Sequence, residues 1–302
     1  MSKARFLAFA QLLRLPNVFT AFSDIALGAC AAGYLANSLL AFVLLLLASG
    51  SLYLAGMVWN DWFDRREDAR TQKFRPIPSG RVASRTAFIL GCVLVLLGWT
   101  FAALAGLSFE FSEFHPLVIA VAITVAVFAY DAFLKHTPIG PVGMGLCRFL
   151  NVLLGLSGAG GDLATLLNLH LAAVIGVYIV GVTWFARTEE TSSNRWQLAA
   201  AAGVMAVALL VGLMLPMHKP EGFTPFYFPY LLVAFGFYVG LAVVKAIANP
   251  DPKHVQAAIK RSILGLVILD AVLATVFVGW PGLAILLLLI PARLLGRWVY
   301  ST

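Results

Sequence analysis

The chain has 302 residues, of which 61% are hydrophobic and only 12% charged, with a net charge of +7 and a mean hydropathy of +0.91. A soluble domain carries about 25% charged residues, so this composition excludes an ordinary water-soluble enzyme and makes a bilayer the natural solvent. Apolar runs of roughly 20 residues point to helices rather than membrane strands, which need only about 10, and the positive charge reads as membrane topology rather than nucleic-acid binding.

In chain order, residues 1–16 carry Lys3, Arg5 and Arg14, which interrupt the apolar run, and no small-residue cleavage site follows. This segment reads as an amphipathic lead-in on the membrane rather than a signal peptide. Ten apolar segments follow, at residues 17–36, 38–60, 84–107, 115–134, 139–160, 165–186, 195–216, 224–248, 258–279 and 281–298. The last contains Pro291 and is the one that could be re-entrant, which gives nine or ten spans. With the N-terminus in the cytoplasm, the inside segments hold Arg14, the cluster from Arg65 to Arg85, Lys135, Arg187, Arg195, Lys245 to Arg261, Arg293 and Arg297. The outside loops then hold only Lys219, beside Glu110, Glu113, Asp162 and Glu221. That asymmetry is the positive-inside pattern. The expectation is an all-α integral membrane protein, one domain over 1–302, in a bacterial inner or plasma membrane. Cys30, Cys92 and Cys147 all fall in apolar segments and read as small buried hydrophobes.

The densest charge follows the second segment: Asn60-Asp61-Trp62-Phe63-Asp64-Arg65-Arg66-Glu67-Asp68. Asn60, Asp64 and Asp68 stand four apart, so a helix would align them in one stripe, with Asp61 joining it. Carboxylates on one face repel, and hard oxygen ligands of this kind suit Mg²⁺. Pro76 and Pro78 then forbid a helix and make a stiff loop presenting Lys73, Arg75 and Arg81, bases able to clamp a diphosphate. After the sixth span, Glu190 and Asn194 are four apart and could complete a facing metal site, whereas Ala186, one stripe position earlier, cannot ligate.

Other charges lie within the spans. Asp131 and Lys135 are four apart and can pair on one helical turn, and Tyr130 and Lys135 could reach a phosphate oxygen. Arg148, followed by Asn151, is a functional candidate by default, as an anion ligand or an ion-pair partner. Asp24 and Asp270 could line a cavity or bond to neighbouring helices. The five histidines sit mostly at span ends and suit interfacial roles.

These residues together resemble the UbiA superfamily of intramembrane prenyltransferases over nearly the whole chain. The resemblance rests on Arg14-Leu15-Pro16-Asn17, on Asn60-Asp61-x-x-Asp64-x-x-x-Asp68, on Arg75-Pro76-x-Pro78-Ser79-Gly80, on Tyr130 and Lys135, and on the polar segment after the sixth span. It implies a helical bundle around a lipid-accessible cavity, in which Mg²⁺ held between two acidic motifs binds a polyprenyl diphosphate. Loss of diphosphate would then yield an allylic cation that alkylates a small, aromatic or other acceptor. By this resemblance Asp61, Asp64, Asp68 and Glu190 are metal ligands and catalytic residues. Asn60, Lys73, Arg75, Tyr130, Lys135, Arg148 and Asn194 bind diphosphate. The family's second motif has aspartates where this chain has Ala186 and Glu190. In that feature, and in its Leu294 to Thr302 end, the chain is similar to a divergent subgroup, the EboC-like proteins, associated with gene clusters for exporting or maturing secondary metabolites. A non-catalytic protein that binds or helps export an amphiphile is the competing expectation.

Overall fold

The computed structural model describes residues 3–35, 37–108, 114–159, 162–187, 194–219 and 224–298. Among these the chain is helical throughout, without strands: α1 (Lys3–Leu12), α2 (Phe19–Ala32), α3 (Leu39–Thr71), α4 (Ser84–Leu107), α5 (His115–Ala132), α6 (Gly140–Leu156), α7 (Leu166–Ala186), α8 (Arg195–Leu213), α9 (Phe228–Ala248), α10 (Pro252–Val278) and α11 (Leu289–Trp298). Nine of the described helical segments are long and apolar enough to cross a membrane, α6 being shorter.

The fifth expected segment is therefore trimmed. Gly140 and Pro141 begin α6, and it gives way after Leu156 to a 3₁₀ turn at Ser157–Ala159. The last segment runs as a 3₁₀ stretch, Trp280–Leu288, that continues into α11.

The second apolar segment does not end at the membrane surface. No proline or glycine interrupts the chain between Gly56 and Pro76, so α3 continues for 33 residues. At 1.5 Å per residue that is about 50 Å, well beyond an apolar slab of about 30 Å. The acidic ladder thus stands on a rigid helical extension rather than on a loop. Turns from Gln72 to Ala83 follow it.

Helices differ in how much they give to lipid. The apolar stretch of α10 is 67% buried and that of the Leu15–Ala32 segment 61%, whereas α4, α5, α8 and α9 are each 28% buried. The outer helices expose Leu96, Val118, Leu210, Phe237 and Leu241, as lipid-facing surfaces should. Two close backbone approaches hold the centre. A Cβ on Gly28 would lie 2.6 Å from the backbone of Gly155, so α2 and α6 meet through glycine. A Cβ on Gly91 of α4 would lie 2.3 Å from the indole nitrogen of Trp59 on α3. Trp59 in turn packs edge-on to Phe128 of α5, with ring centroids 5.7 Å apart.

Candidate active site at the end of the cavity

A cavity of about 360 Å³ opens between α2, α3, α5, α6, α7 and α10. Its walls are mostly apolar, with Leu52, Ile123, Val127, Ile179, Ile263 and Leu266 among them. Polar groups gather in two places: Arg14, Asn17, Asn60, Tyr130 and Asp131 from the chain entering α2, the interior of α3 and the end of α5, and Tyr53, Arg148, Asn151 and Ser49 deeper between α3 and α6. An apolar vessel with a few convergent polar groups is the usual form of a small-molecule site.

The ladder runs outward from Asn60, one helical turn at a time. Each of its carboxylates has a basic partner. Asp61 accepts from Arg14 at 3.0 Å and lies 3.7 Å from Arg75. Asp68 takes Arg75 through both oxygens, at 3.0 and 2.9 Å. Asp64 Oδ1 lies 2.5 Å from Lys135 Nζ. The cations that relieve repulsion along the ladder are therefore, in this arrangement, side chains of the protein itself. Arg14 reaches Asp61 from a left-handed backbone position, φ 45°, the one positive φ outside glycine among the described residues. Such a conformation costs of order 1 kcal/mol or more in a non-glycine residue, and the ion pair to Asp61 is what it accompanies.

The bases expected to form a clamp are largely engaged within the protein in this arrangement. Arg75 folds back on the ladder. Arg81 donates to the Phe74 carbonyl at 2.5 Å and to Gln11 of α1 at 2.8 Å, which fastens the loop to the lead-in helix. Lys73 is exposed on that loop. Lys135 pairs with Asp64 and not with Asp131, because α5 ends at Ala132 and Phe133 leaves helical geometry (φ −135°), so the four-residue spacing no longer places the two side chains on one turn. Asp131 instead accepts from Asn60 Nδ2 at 2.9 Å.

Arg148 lines the cavity but is anchored. It donates to Asp24 at 3.0 Å and to Thr20 at 2.7 Å, and it sits 5.4 Å from the Tyr53 ring centroid. Asn151 donates to Asp24 at 2.8 Å and to the Ala21 carbonyl at 3.0 Å, and accepts from Ser49 at 2.7 Å. This network ties α2, α3 and α6 together beneath the cavity. Asp24 and Asp270 are both fully buried and are electrostatic neighbours.

On the far side, α7 presents Thr183 and Ala186 to the cavity. Arg187 then binds the carbonyls of Lys135, Thr137 and Pro138, which brings the end of α7 against the turn after α5. Glu190 lies outside the described residues. Asn194, expected at the metal site, is exposed, and its oxygen caps α8 by accepting from the Trp196 amide at 2.9 Å. It does not line the cavity.

A hard divalent cation fits the donor set. The remaining oxygens of Asn60 and Asp64 carry no hydrogen bond from described residues, and the buried Oδ2 of Asp131 has no partner either. Asp64 also lies with Glu67 and His136 so that ligand atoms of all three fall within 4.8 Å of one another at the exposed rim. Sequence spacing concealed Arg14, Asp131 and this rim group, because their proximity arises between elements; only the Arg-Leu-Pro-Asn stretch gave a signal for Arg14.

Known proteins are similar to this chain in sequence and in fold. At 28% identity the chain aligns over 274 residues with the digeranylgeranylglyceryl phosphate synthase of Natronomonas pharaonis, covering 83% of this chain and 91% of the relative. It aligns at 28% identity over 175 residues with the 4-hydroxybenzoate octaprenyltransferase of Marinomonas sp., covering 56% of each. Its fold is that of a UbiA homologue from Archaeoglobus fulgidus solved with GPP and Mg²⁺, with a TM-score of 0.64 at 15% identity, over 88% of this chain and 99% of the other. Residues 21–264 match the UbiA prenyltransferase family as a whole, and the chain belongs to that family.

Proposed function

We propose that this protein transfers a prenyl group from a polyprenyl diphosphate to a small aromatic acceptor, with Mg²⁺ at the ladder end of the cavity. The observation that carries the reading is the junction itself: an acidic ladder on a rigid helix opens directly, at Asn60, onto an apolar cavity. Diphosphate and carboxylates repel, so such an end holds a diphosphate only through a cation. Asn60, Asp61, Asp64 and Asp131 each have an oxygen open to one, while Asp68, held through both oxygens, would have to exchange Arg75 for it. Bound there, Mg²⁺ would neutralise the charge that builds on a departing diphosphate.

The chain's own residues account for the rest of the chemistry. The apolar walls hold the prenyl tail and keep water from the allylic carbon once the carbon–oxygen bond breaks. The rings of Tyr53 and Tyr130 line the same space and offer negative faces to the developing cation. Lys135 and Arg75, at the ladder, are placed to follow the diphosphate charge as it separates.

An acceptor without a phosphate is favoured by the pairing of the cavity's described cations. Arg14 is held by Asp61 and Arg148 by Asp24, so neither stands free to bind an acceptor anion. The test is incubation of the purified protein with labelled geranylgeranyl diphosphate, Mg²⁺ and a panel of phenolic acceptors beside a glycerol phosphate lipid. Prenylated phenol is the expected product, and product from the glycerol phosphate lipid alone would overturn the acceptor assignment. The second reading, an amphiphile-binding protein without turnover, is favoured by Ala186 standing at the cavity wall; it predicts diphosphate binding and no product with any acceptor.

We further propose that the N-terminus and the ladder face the cytoplasm, as the distribution of Arg and Lys supports.

A further inference from the structure

Resting on the proposed diphosphate site, we propose that Asp131 is a direct ligand of its divalent cation, supplying from the end of α5 a carboxylate that α7 does not provide. Asp131 is the one carboxylate among the described residues that line the cavity. It is 3% exposed, and its Oδ2 is buried without a hydrogen-bond partner. Its other oxygen accepts from Asn60, the innermost residue of the ladder, one turn before Asp64 on the same face of α3. Lys135, Asp64 and Arg14 are its charged neighbours.

Three features make a lone buried carboxylate at this position costly unless a cation joins it. First, Asp131 lies in the last turn of an 18-residue helix. The free carbonyls there already carry partial negative charge, so the helix end opposes an acid and favours a cation. Second, the cations nearby are committed elsewhere: Lys135 to Asp64, Arg14 to Asp61, and Arg187 to the carbonyls of Lys135, Thr137 and Pro138. Third, across the cavity the described residues of α7 are Ile179, Val182, Thr183 and Ala186, none of which carries a charge. A buried ion with an open lone pair, set beside an amide whose own oxygen is also open, is a ligand set for a hard metal. The clamp of Arg187 on the turn after α5 braces this wall.

The test uses full-length protein in lipid nanodiscs with inorganic diphosphate, and Mn²⁺ as a paramagnetic substitute for Mg²⁺, with free Mn²⁺ read by electron paramagnetic resonance. Asp131→Asn, which keeps the volume and a contact to Asn60, is expected to weaken Mn²⁺ binding by about tenfold or more. An affinity within about twofold of the unaltered protein would overturn the proposal. Asp131→Cys gives a readout that a purely structural role would not move. A thiolate prefers a soft metal, so the ratio of Cd²⁺ to Mn²⁺ affinity is expected to rise by about tenfold or more, and an unchanged ratio would also overturn it. Asp64→Asn separates this idea from the site on which it rests. If Asp64→Asn abolishes Mn²⁺ binding and Asp131→Asn does not alter it, only the role of Asp131 fails. If the unaltered protein binds no Mn²⁺ with diphosphate, both fail.

Discussion

Replacing Arg148 with methionine distinguishes an anchored arginine from a ligand-binding one. Its guanidinium holds Asp24 at 3.0 Å and Thr20 at 2.7 Å, and the Asp24 side chain is fully buried while that of Arg148 is 12% exposed. Removing one member of a buried pair leaves an uncompensated charge, which costs about 3–5 kcal/mol. Asn151 would remain as one donor to Asp24, so the loss should sit in that range and not above it. Arg148→Met with Asp24→Leu removes both charges, and most of the stability should return, because apolar groups of similar size replace a buried pair at little net cost. The assay is unfolding in mixed micelles titrated with dodecyl sulfate and followed by tryptophan fluorescence. A single variant within about 0.5 kcal/mol of the original, the range of ordinary surface changes, would refute the reasoning and mean that the guanidinium is free to serve the cavity.

Other outcomes follow from the same geometry. Asp64→Ala should abolish Mg²⁺-dependent diphosphate binding measured by calorimetry, and chelation of the metal in the unaltered protein should do the same. Arg75→Gln should release the Gln72–Ala83 turn from Asp68, raising its rate of proteolytic cleavage while helix content measured by circular dichroism stays constant. Gly91→Ala should destabilise by about 1–3 kcal/mol in the same micelle titration, because the new methyl meets the Trp59 indole in a packed contact. Cysteines introduced at Lys73 and Lys219 should react with a membrane-impermeant reagent from opposite sides of sealed vesicles, the first from the cytoplasmic face.

Much of the fold is legible in the sequence because membrane helices are written in long apolar runs. The segments at 84–107 and 165–186 coincide with α4 and α7 to within a residue. Departures occur where a physical signal other than hydropathy decides. The α3 helix outlasts its apolar run because nothing in Asn60–Thr71 breaks a helix, and α6 is short because Gly140-Pro141 starts it late and Ser157 ends it early.

The candidate site divides in the same way. The ladder was visible, since four-residue spacing on one helix is a local property. Its pairing was not: Arg14 to Asp61, Lys135 to Asp64 and Asn60 to Asp131 join residues 47, 71 and 71 positions apart. Asp131 and Lys135 show the limit of local reasoning. Their spacing promised a pair, and the end of α5 one residue after Asp131 sent them to different partners.

The most direct test of the ladder and cavity as one metal-dependent site is release of inorganic diphosphate from geranylgeranyl diphosphate by the purified protein in nanodiscs, with and without Mg²⁺, beside Asp64→Ala. Release that requires both Mg²⁺ and Asp64 is the predicted result. Release at the same rate without metal, or in the Asp64→Ala protein, would contradict it.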